Sequence, residues 1–146
     1  MTLSNSAENN LMKLLFENTN WANVGDATGL RGSSTAGSFY VALYTSDPGE
    51  AGTATTNETA YTDYARVAVA RSTAGWTVTN DTVANDAAVT FPVCGVSGAT
   101  ITHFGLVETS SGAGELYISG ALTAPLAVSA GVTPSFAISA LTATAA

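Results

Sequence analysis

Few residues in the sequence have the chemistry of a catalytic site. His103 is the only histidine, and with Ser46 and Asp47 it would supply the three side-chain types of a Ser-His-Asp hydrolase. Ser46 does not lie in the glycine-flanked turn that exposes such a nucleophile. A lone histidine on a strand usually serves as a structural hydrogen-bonding group. We therefore predict that the protein is not an enzyme.

Four acidic residues fall within one stretch and could bind a cation. Asp47, Glu50, Glu58 and Asp63 offer the oxygen ligands that Ca²⁺ prefers, but their spacing does not match the Asp-x-Asp-x-Asp-Gly loop. The carboxylates could also include a glycosidase pair, whose separation in space a sequence does not give. One cysteine and one histidine are too few for a zinc site. The sequence predicts no cofactor and no metal, with a cation in the Asp47 to Asp63 loop as the open alternative.

The beginning of this acidic stretch also fits the corner of a sheet. In the segment FYVALYTSDPGEAGTA, residues 39–54, a run of strand-forming residues leads directly into Asp47, Pro48 and Gly49. Pro48 fixes φ at the first corner position, Gly49 tolerates the positive φ of a type II turn, and Asp47 can bind the backbone ahead of it. The pattern predicts a turn.

The balance of charge excludes two classes of partner. Four basic and eleven acidic residues give a net charge of −7 and a pI near 4.2. Phosphate backbones and anionic membranes bind clustered Lys and Arg, so we expect neither nucleic acid nor membrane as a partner. The run LMKLLF, residues 11–16, is too short for a secretory signal or a membrane span.

The side chains are small and mostly uncharged. More than half of the residues are Ala, Thr, Ser or Gly, and charged residues make up 10% of the chain, against roughly 25% in an ordinary soluble domain. Such side chains have little rotamer entropy to lose and little charge to desolvate when subunits pack together. Cys94 is the only cysteine, so the chain has no internal disulfide. The composition indicates a subunit of an assembly.

The elements that would position these residues are mainly β-strands. Apolar residues at helical spacing predict a short helix within residues 1–17, and a polar, Gly-rich arm follows over 18–37. Runs rich in β-branched and aromatic residues predict seven strands, at 38–45, 63–72, 76–80, 87–94, 101–109, 115–123 and 133–144. The predicted fold is mainly β, an antiparallel β-sandwich or jelly-roll-like domain over 38–146, preceded by the amino-terminal helix and extended arm over 1–37.

Taken in order, these segments resemble a family of small virion proteins of tailed bacteriophages. The resemblance lies in LSNSAENNLMKLLF, FYVALYTSDPGEAGT, YARVAV, VTFP, ITHFGLVE, ELYISGALT and TPSFAISALTAT, and it covers nearly the whole chain. The sequence departs from the family pattern at 18–37, where the connection is longer. Members are tail-fibre-like, minor structural or head decoration proteins. The resemblance implies a virion structural protein that is made in the host bacterial cytoplasm and has no catalytic site.

The first interpretation is a capsid decoration, or cement, protein. The resemblance implies that it would bind as a homotrimer to the major capsid protein on the outer surface of the phage head and stabilise the particle. Its contacts are expected in the helix and arm. The predicted interface residues are Leu11, Leu14, Leu15, Trp21 and Leu30.

The alternative is a tail fibre or baseplate component, or an adhesin that binds a host receptor. An adhesin would use exposed aromatic side chains, for which the candidates are Trp21, Tyr40, Tyr44, Tyr61 and Trp76. A carbohydrate-active enzyme is a third, weaker possibility that rests on unassigned carboxylates alone. The sequence shows no repetitive shaft of the kind that fibre proteins usually carry, and this favours the decoration protein.

Overall fold

The computed structural model describes residues 5–21, 24–25, 30–31 and 36–144, with the backbone alone described for 5–8, 24–25 and 30–31. This part of the chain forms one helix, α1 (Asn5–Phe16), and eleven strands. The strands are β1 (Val24–Gly25), β2 (Leu30–Arg31), β3 (Ser38–Tyr44), β4 (Val67–Ala70), β5 (Trp76–Thr79), β6 (Thr82–Asn85), β7 (Val89–Thr90), β8 (Ala99–Val107), β9 (Leu116–Val128), β10 (Ser135–Phe136) and β11 (Thr142–Thr144).

The largest sheet has four strands in the order β4-β3-β8-β9. Strand β8 pairs antiparallel with β3 on one side and with β9 on the other. Both faces of β3 are buried from Val41 to Tyr44, and Ala54 packs with Ala42 and Tyr44 on one of them. Ala42 and Tyr44 belong to the core as fully as Val41 and Leu43 do.

The helix packs on a second, three-stranded sheet in the order β11-β6-β5. Met12 and Phe16 are its buried residues, and the ring of Phe16 meets that of Trp76 edge to face at 4.7 Å. The helix ends at Phe16, followed by Asn18 in the left-handed conformation that terminates many helices. Met12 and Phe16 therefore bury one side of this short helix within its own chain.

The chain folds into two compact units. The helical unit comprises the described residues of 1–38, 70–88 and 136–146, and the sheet unit comprises 39–69 and 89–135. These units interleave along the sequence. The predicted division into 1–37 and 38–146 concerned assembly contacts, and it stays a prediction.

The structure confirms a mainly β chain with antiparallel sheets and one short amino-terminal helix in the described part. The pair of β1 and β2 is parallel. Much of the predicted arm at 18–37, namely residues 22–23, 26–29 and 32–35, lies outside the described residues. A sandwich or jelly-roll arrangement of the sheets stays a prediction. No helix among the described residues is both long and apolar enough to cross a membrane.

Several strand boundaries differ from the prediction for local reasons. The predicted strand at 63–72 begins only at Val67, since Asp63 has a φ of 73°, which extended backbone does not use. The predicted strand at 133–144 is divided into β10 and β11, with Ser139 at a φ of 61° between them. In contrast, β9 continues beyond the predicted 115–123 as far as Val128.

Candidate functional site

The acidic stretch begins with the predicted corner. The backbone N–H of Gly49 donates to Asp47 Oδ1 at 2.8 Å, and Gly49 has a φ of 71°. The side chain of Asn57 donates to the carbonyl oxygen of Asp47 at 2.9 Å, which ties the corner to the end of its loop. The Asp47 side chain therefore serves a turn, as the sequence predicted.

Further along the same stretch, Glu58 and Arg66 form a buried ion pair. Arg66 Nε donates to Glu58 Oε1 at 2.6 Å and Arg66 Nη2 donates to Glu58 Oε2 at 2.7 Å, with 2% of the Arg66 side chain and 14% of the Glu58 side chain exposed. The two planar groups meet through two parallel hydrogen bonds, the strongest geometry for such a pair. Glu58, one of the four acidic residues that could bind a cation, therefore binds the guanidinium of Arg66.

Arg66 also binds backbone carbonyls from two loops. Its Nη1 donates to the carbonyl oxygen and Oγ1 of Thr109, both at 2.9 Å, and its Nη2 donates to the carbonyl oxygens of Gly112 at 2.9 Å and Ala54 at 3.3 Å. Together with the bonds to Glu58, these contacts engage all three guanidinium nitrogens. Arg66 thus joins the loop after β3 to the loop after β8 within the sheet unit.

Two tyrosines complete this group, which we call the Arg66 cluster: Arg66, Glu58, Tyr64 and Tyr44. The Tyr64 hydroxyl donates to Glu58 Oε1 at 2.9 Å and accepts from the backbone N–H of Leu43 at 3.1 Å. The Tyr44 hydroxyl donates to the carbonyl oxygen of Ala54 at 3.1 Å. Each polar group of the cluster is bound to another part of the sheet unit.

Burial raises the pKa of both tyrosines in the cluster. Burial raises the pKa of Tyr44 to about 12, with a further increase from Glu58 that Arg66 opposes. Burial also raises the pKa of Tyr64 far above its ordinary value. The hydrogen bond to Glu58 is the main cause that raises the pKa of Arg66. Both phenols therefore stay protonated to a higher pH than an exposed tyrosine would.

A pocket of about 400 Å³ lies beside the cluster in the sheet unit. It is lined by Glu58, Thr59, Ala60, Tyr61, Asp63, Tyr64, Ala65, Arg66 and residues 110–112. The charged atoms of Arg66 and Glu58 are engaged in the hydrogen bonds described above, which leaves Asp63, Ser110 and Ser111 as its exposed polar side chains. No group of three or more His, Cys, Asp or Glu residues in the described part of the chain could hold a metal ion.

The candidate catalytic residues are not joined in a triad by the hydrogen bonds that the structure describes. His103 Nδ1 pairs with the Thr102 hydroxyl at 2.9 Å, while the Asp47 carboxylate accepts from Gly49. Ser46 and Asp47 are exposed at the corner, and His103 is half-buried within β8. Their described bonds are those of strand and turn residues.

The predicted interface residues lie mainly along the helix. Leu11, Leu14 and Leu15 are half-buried in α1, and Trp21 is half-buried after it. Leu30 belongs to β2, and its side chain lies outside the described residues. Their role in assembly stays a prediction.

Most of the aromatic residues considered for receptor binding are in the core. Tyr44, Tyr61 and Trp76 are buried, while Trp21 and Tyr40 are half-buried. The hydroxyl of Tyr61 donates to the carbonyl oxygen of Pro92 at 2.9 Å. These side chains build the fold rather than an exposed aromatic surface.

Sequence reasoning missed the Arg66 cluster. It placed Arg66 within the predicted strand at 63–72 and Glu58 among four acidic residues that could bind a cation. The one available signal was the scarcity of basic residues, since a chain with four of them has few means to neutralise a buried acid.

Comparison with known families identifies the family of the chain. It matches over residues 2–144 the family described as Podophage GP4 fiber I protein gp80. No curated protein matches the sequence. The family match covers nearly the whole chain and confirms the resemblance to virion proteins of tailed phages, while its description names a fibre and not a head decoration protein. The protein is therefore a structural protein of a phage virion and belongs to this family of podophage fibre proteins.

Proposed function

We propose that the chain is a structural subunit of a tail fibre and has no enzymatic activity. The observation that carries this proposal is the match over residues 2–144 to a family described as a podophage fibre protein. The first interpretation of the sequence was a capsid decoration protein on the outer surface of the phage head, with a fibre component as its alternative. The family description supports the alternative.

The Arg66 cluster supports a structural role. Its ion pair and tyrosines bind other groups of the sheet unit, and burial moves the pKa of both tyrosines further above physiological pH. Catalytic groups instead need a pKa near the working pH and an open position for the reacting atom. The cluster fixes two loops, which is a contribution to the fold.

The buried aromatic residues favour a structural subunit over an adhesin that binds through aromatic side chains. Tyr44, Tyr61 and Trp76 are fully enclosed and could not contact a receptor without unfolding. We propose that the subunit associates with further copies of itself, as a homotrimer. Its small, weakly charged side chains support close packing between copies.

Labelling of intact particles tests the location. Fab fragments raised against the purified protein would be bound to virions and imaged by cryo-electron microscopy, with Fab fragments against the major capsid protein as the reference for the head. We expect Fab density on fibres at the tail, in a small number of copies. Density repeated over the head lattice would contradict the fibre assignment and support the interpretation as a capsid decoration protein.

A further inference from the structure

The pocket beside the Arg66 cluster has a buried hydroxyl group without a partner in its wall. Thr59 lines the pocket and is 4% exposed, and its Oγ1 makes no hydrogen bond within the described part of the chain. Buried polar atoms nearly always have a partner, so this hydroxyl group indicates a place for a bound molecule. The pocket volume of about 400 Å³ is in the range of small-molecule sites.

Three further polar side chains line the same pocket. They are Asp63, Ser110 and Ser111, which are all exposed, and no hydrogen bond that the structure describes engages their side chains. The carboxylate accepts hydrogen bonds, whereas each hydroxyl group both donates and accepts. Together with Thr59, these groups suit a ligand that itself carries several hydroxyl groups.

Tyr64 gives the pocket an apolar surface. Its hydroxyl group is engaged with Glu58 and with the backbone N–H of Leu43, so the half-buried ring offers its carbon atoms to the pocket. The ring centroid lies 5.3 Å from that of Tyr61, edge to face, and 6.4 Å from that of Phe91, stacked. A fixed apolar ring beside hydroxyl groups and a carboxylate matches the chemistry of a sugar ring, which has C–H groups on its faces and hydroxyl groups at its edge.

The two walls of the pocket are joined before any ligand binds. One wall comes from residues 58–66 and the other from residues 110–112, and Arg66 in the first donates to the carbonyl oxygen of Gly112 in the second at 2.9 Å. Asp63 has a φ of 73°, a conformation that costs energy for a residue other than glycine and that often occurs at binding sites. Because the walls are bonded to each other, binding would cost little conformational entropy.

The charges around the pocket favour a neutral ligand. Arg66 and Glu58 neutralise each other, and the carboxylate of Asp63 leaves the pocket with one negative charge in excess. This charge repels a phosphate or a carboxylate, and the guanidinium nitrogens of Arg66 are already engaged. A divalent cation needs several oxygen ligands, whereas Asp63 is the one carboxylate here that is not paired with the guanidinium.

We propose that this pocket binds a neutral sugar ring, either as a free monosaccharide or at the end of a glycan chain. The ring lies against Tyr64, and its hydroxyl groups bond to the carboxylate of Asp63 and to the hydroxyl groups of Thr59, Ser110 and Ser111. This inference goes beyond the proposed function, because a structural subunit needs no ligand. It is also independent of where in the virion the chain is located.

Nuclear magnetic resonance titration of the isotope-labelled full chain tests the proposal. The probes are glucose, galactose, mannose, rhamnose and N-acetylglucosamine, followed by a trisaccharide that ends in each sugar that binds. We expect at least one probe to shift the amide resonances of residues 58–66 and 110–112. Tighter binding of the trisaccharide would identify a glycan chain as the source, and equal binding a free sugar. The absence of shifts at these amides with every probe would overturn the proposal, as would larger shifts there with inorganic phosphate or Ca²⁺.

Two matched substitutions test the role of the carboxylate. Asp63→Asn removes the charged acceptor, and asparagine adopts the same positive φ readily. We expect the affinity for the sugar to fall about tenfold, because hydrogen bonds to a charged acceptor are the stronger ones. Asp86→Asn makes the same change at an exposed position of the helical unit, outside the pocket, and should bind the sugar like wild type.

Thr59→Val separates binding from folding. Valine has nearly the shape of threonine without its unpartnered hydroxyl group, so urea denaturation should show no loss of stability. The affinity for the sugar should nevertheless fall about fivefold, whereas Thr59→Ser, which keeps the hydroxyl group, should retain it. A sugar that binds equally well to wild type, Asp63→Asn and Thr59→Val would overturn the assignment of the pocket.

Discussion

Arg66 in the sheet unit and Arg71 in the helical unit both bind backbone carbonyl oxygens, but in different surroundings. Arg66 is buried, and a carboxylate, Glu58, lies in front of it. Arg71 is half-buried and donates to the carbonyl oxygens of Leu14 and Leu15 in the last turn of α1. It also donates to the carbonyl oxygen of Ala36 at 3.0 Å.

The difference shows how burial decides what a cation needs. A guanidinium removed from water requires a full negative charge as well as hydrogen-bond acceptors, and Glu58 supplies both to Arg66. Arg71 is less buried, and the helix carbonyl oxygens that it binds carry partial negative charge. We therefore expect the sheet unit to depend on its arginine more strongly than the helical unit does.

The largest effect should follow from removal of one member of the buried pair. Glu58→Ala leaves Arg66 as a buried cation without its carboxylate, and we expect the free energy of unfolding to fall by about 3–5 kcal/mol. Urea denaturation followed by circular dichroism measures the change. A loss below about 1 kcal/mol, the range of surface pairs, would show that the pair is solvated in solution.

A double-mutant cycle separates the pair from its neighbours. Glu58→Gln with Arg66→Met removes both charges together, and we expect this variant to lose less stability than the sum of the two single variants. Additive losses would mean that Arg66 acts mainly through the carbonyl oxygens of Thr109, Gly112 and Ala54.

A smaller effect is expected at the helix. Arg71→Met removes charged hydrogen bonds to the carbonyl oxygens of Leu14 and Leu15, and we expect a loss of about 1.5–3 kcal/mol. Hydrogen exchange should increase in residues 9–17 while the amides of β8 stay protected. Arg71→Lys, which keeps the charge at the helix end, should lose less. Equal exchange in β8 and the helix would contradict a local role for Arg71.

Alkaline pH should weaken the sheet unit through Tyr44. Its pKa is raised to about 12 by burial and by Glu58, whereas tyrosine in an unfolded chain titrates near about 10. The unfolded state loses this proton first, so the stabilisation is fully present below about pH 10 and falls as the pH rises to about 12. Urea midpoints measured across this window should fall less steeply in Tyr44→Phe. If the urea midpoints of both proteins fall equally steeply with pH, Tyr44 is not a cause of the loss of stability.

The sequence was sufficient where structure depends on neighbouring residues. The corner at Asp47 and Gly49 follows from the φ preferences of successive residues, and the helix follows from apolar spacing. The residues at 38–45 predicted a strand correctly but not its burial on both faces, because residues that cover a face, such as Ala54, come from other parts of the chain.

The Arg66 cluster could not be predicted because its acceptors are distant backbone atoms. Thr109 and Gly112 lie more than forty residues from Arg66, and a carbonyl oxygen belongs to every residue type. No side-chain pattern therefore marks the loops that Arg66 binds. Arg66 lies directly before β4, within the stretch where the sequence had predicted a strand.

The smallest effect on folding, with a distinct effect on assembly, is expected from the half-buried leucines of the helix. In Leu11→Asp with Leu14→Asp, the carboxylates can reach water while Met12 and Phe16 keep the helix on its sheet. We expect the variant to retain its strands by circular dichroism but to be absent from purified particles. Thr19→Asp with Asn20→Asp adds the same charge at exposed positions and should be incorporated.

Analytical ultracentrifugation of the leucine variant shows which contact the helix makes. A leucine variant that still associates in solution but is missing from particles would assign the helix to a contact with a neighbouring virion protein. Loss of self-association in the leucine variant would assign the contact between copies of the chain to the helix. Normal incorporation of the leucine variant would contradict the prediction that Leu11 and Leu14 make assembly contacts.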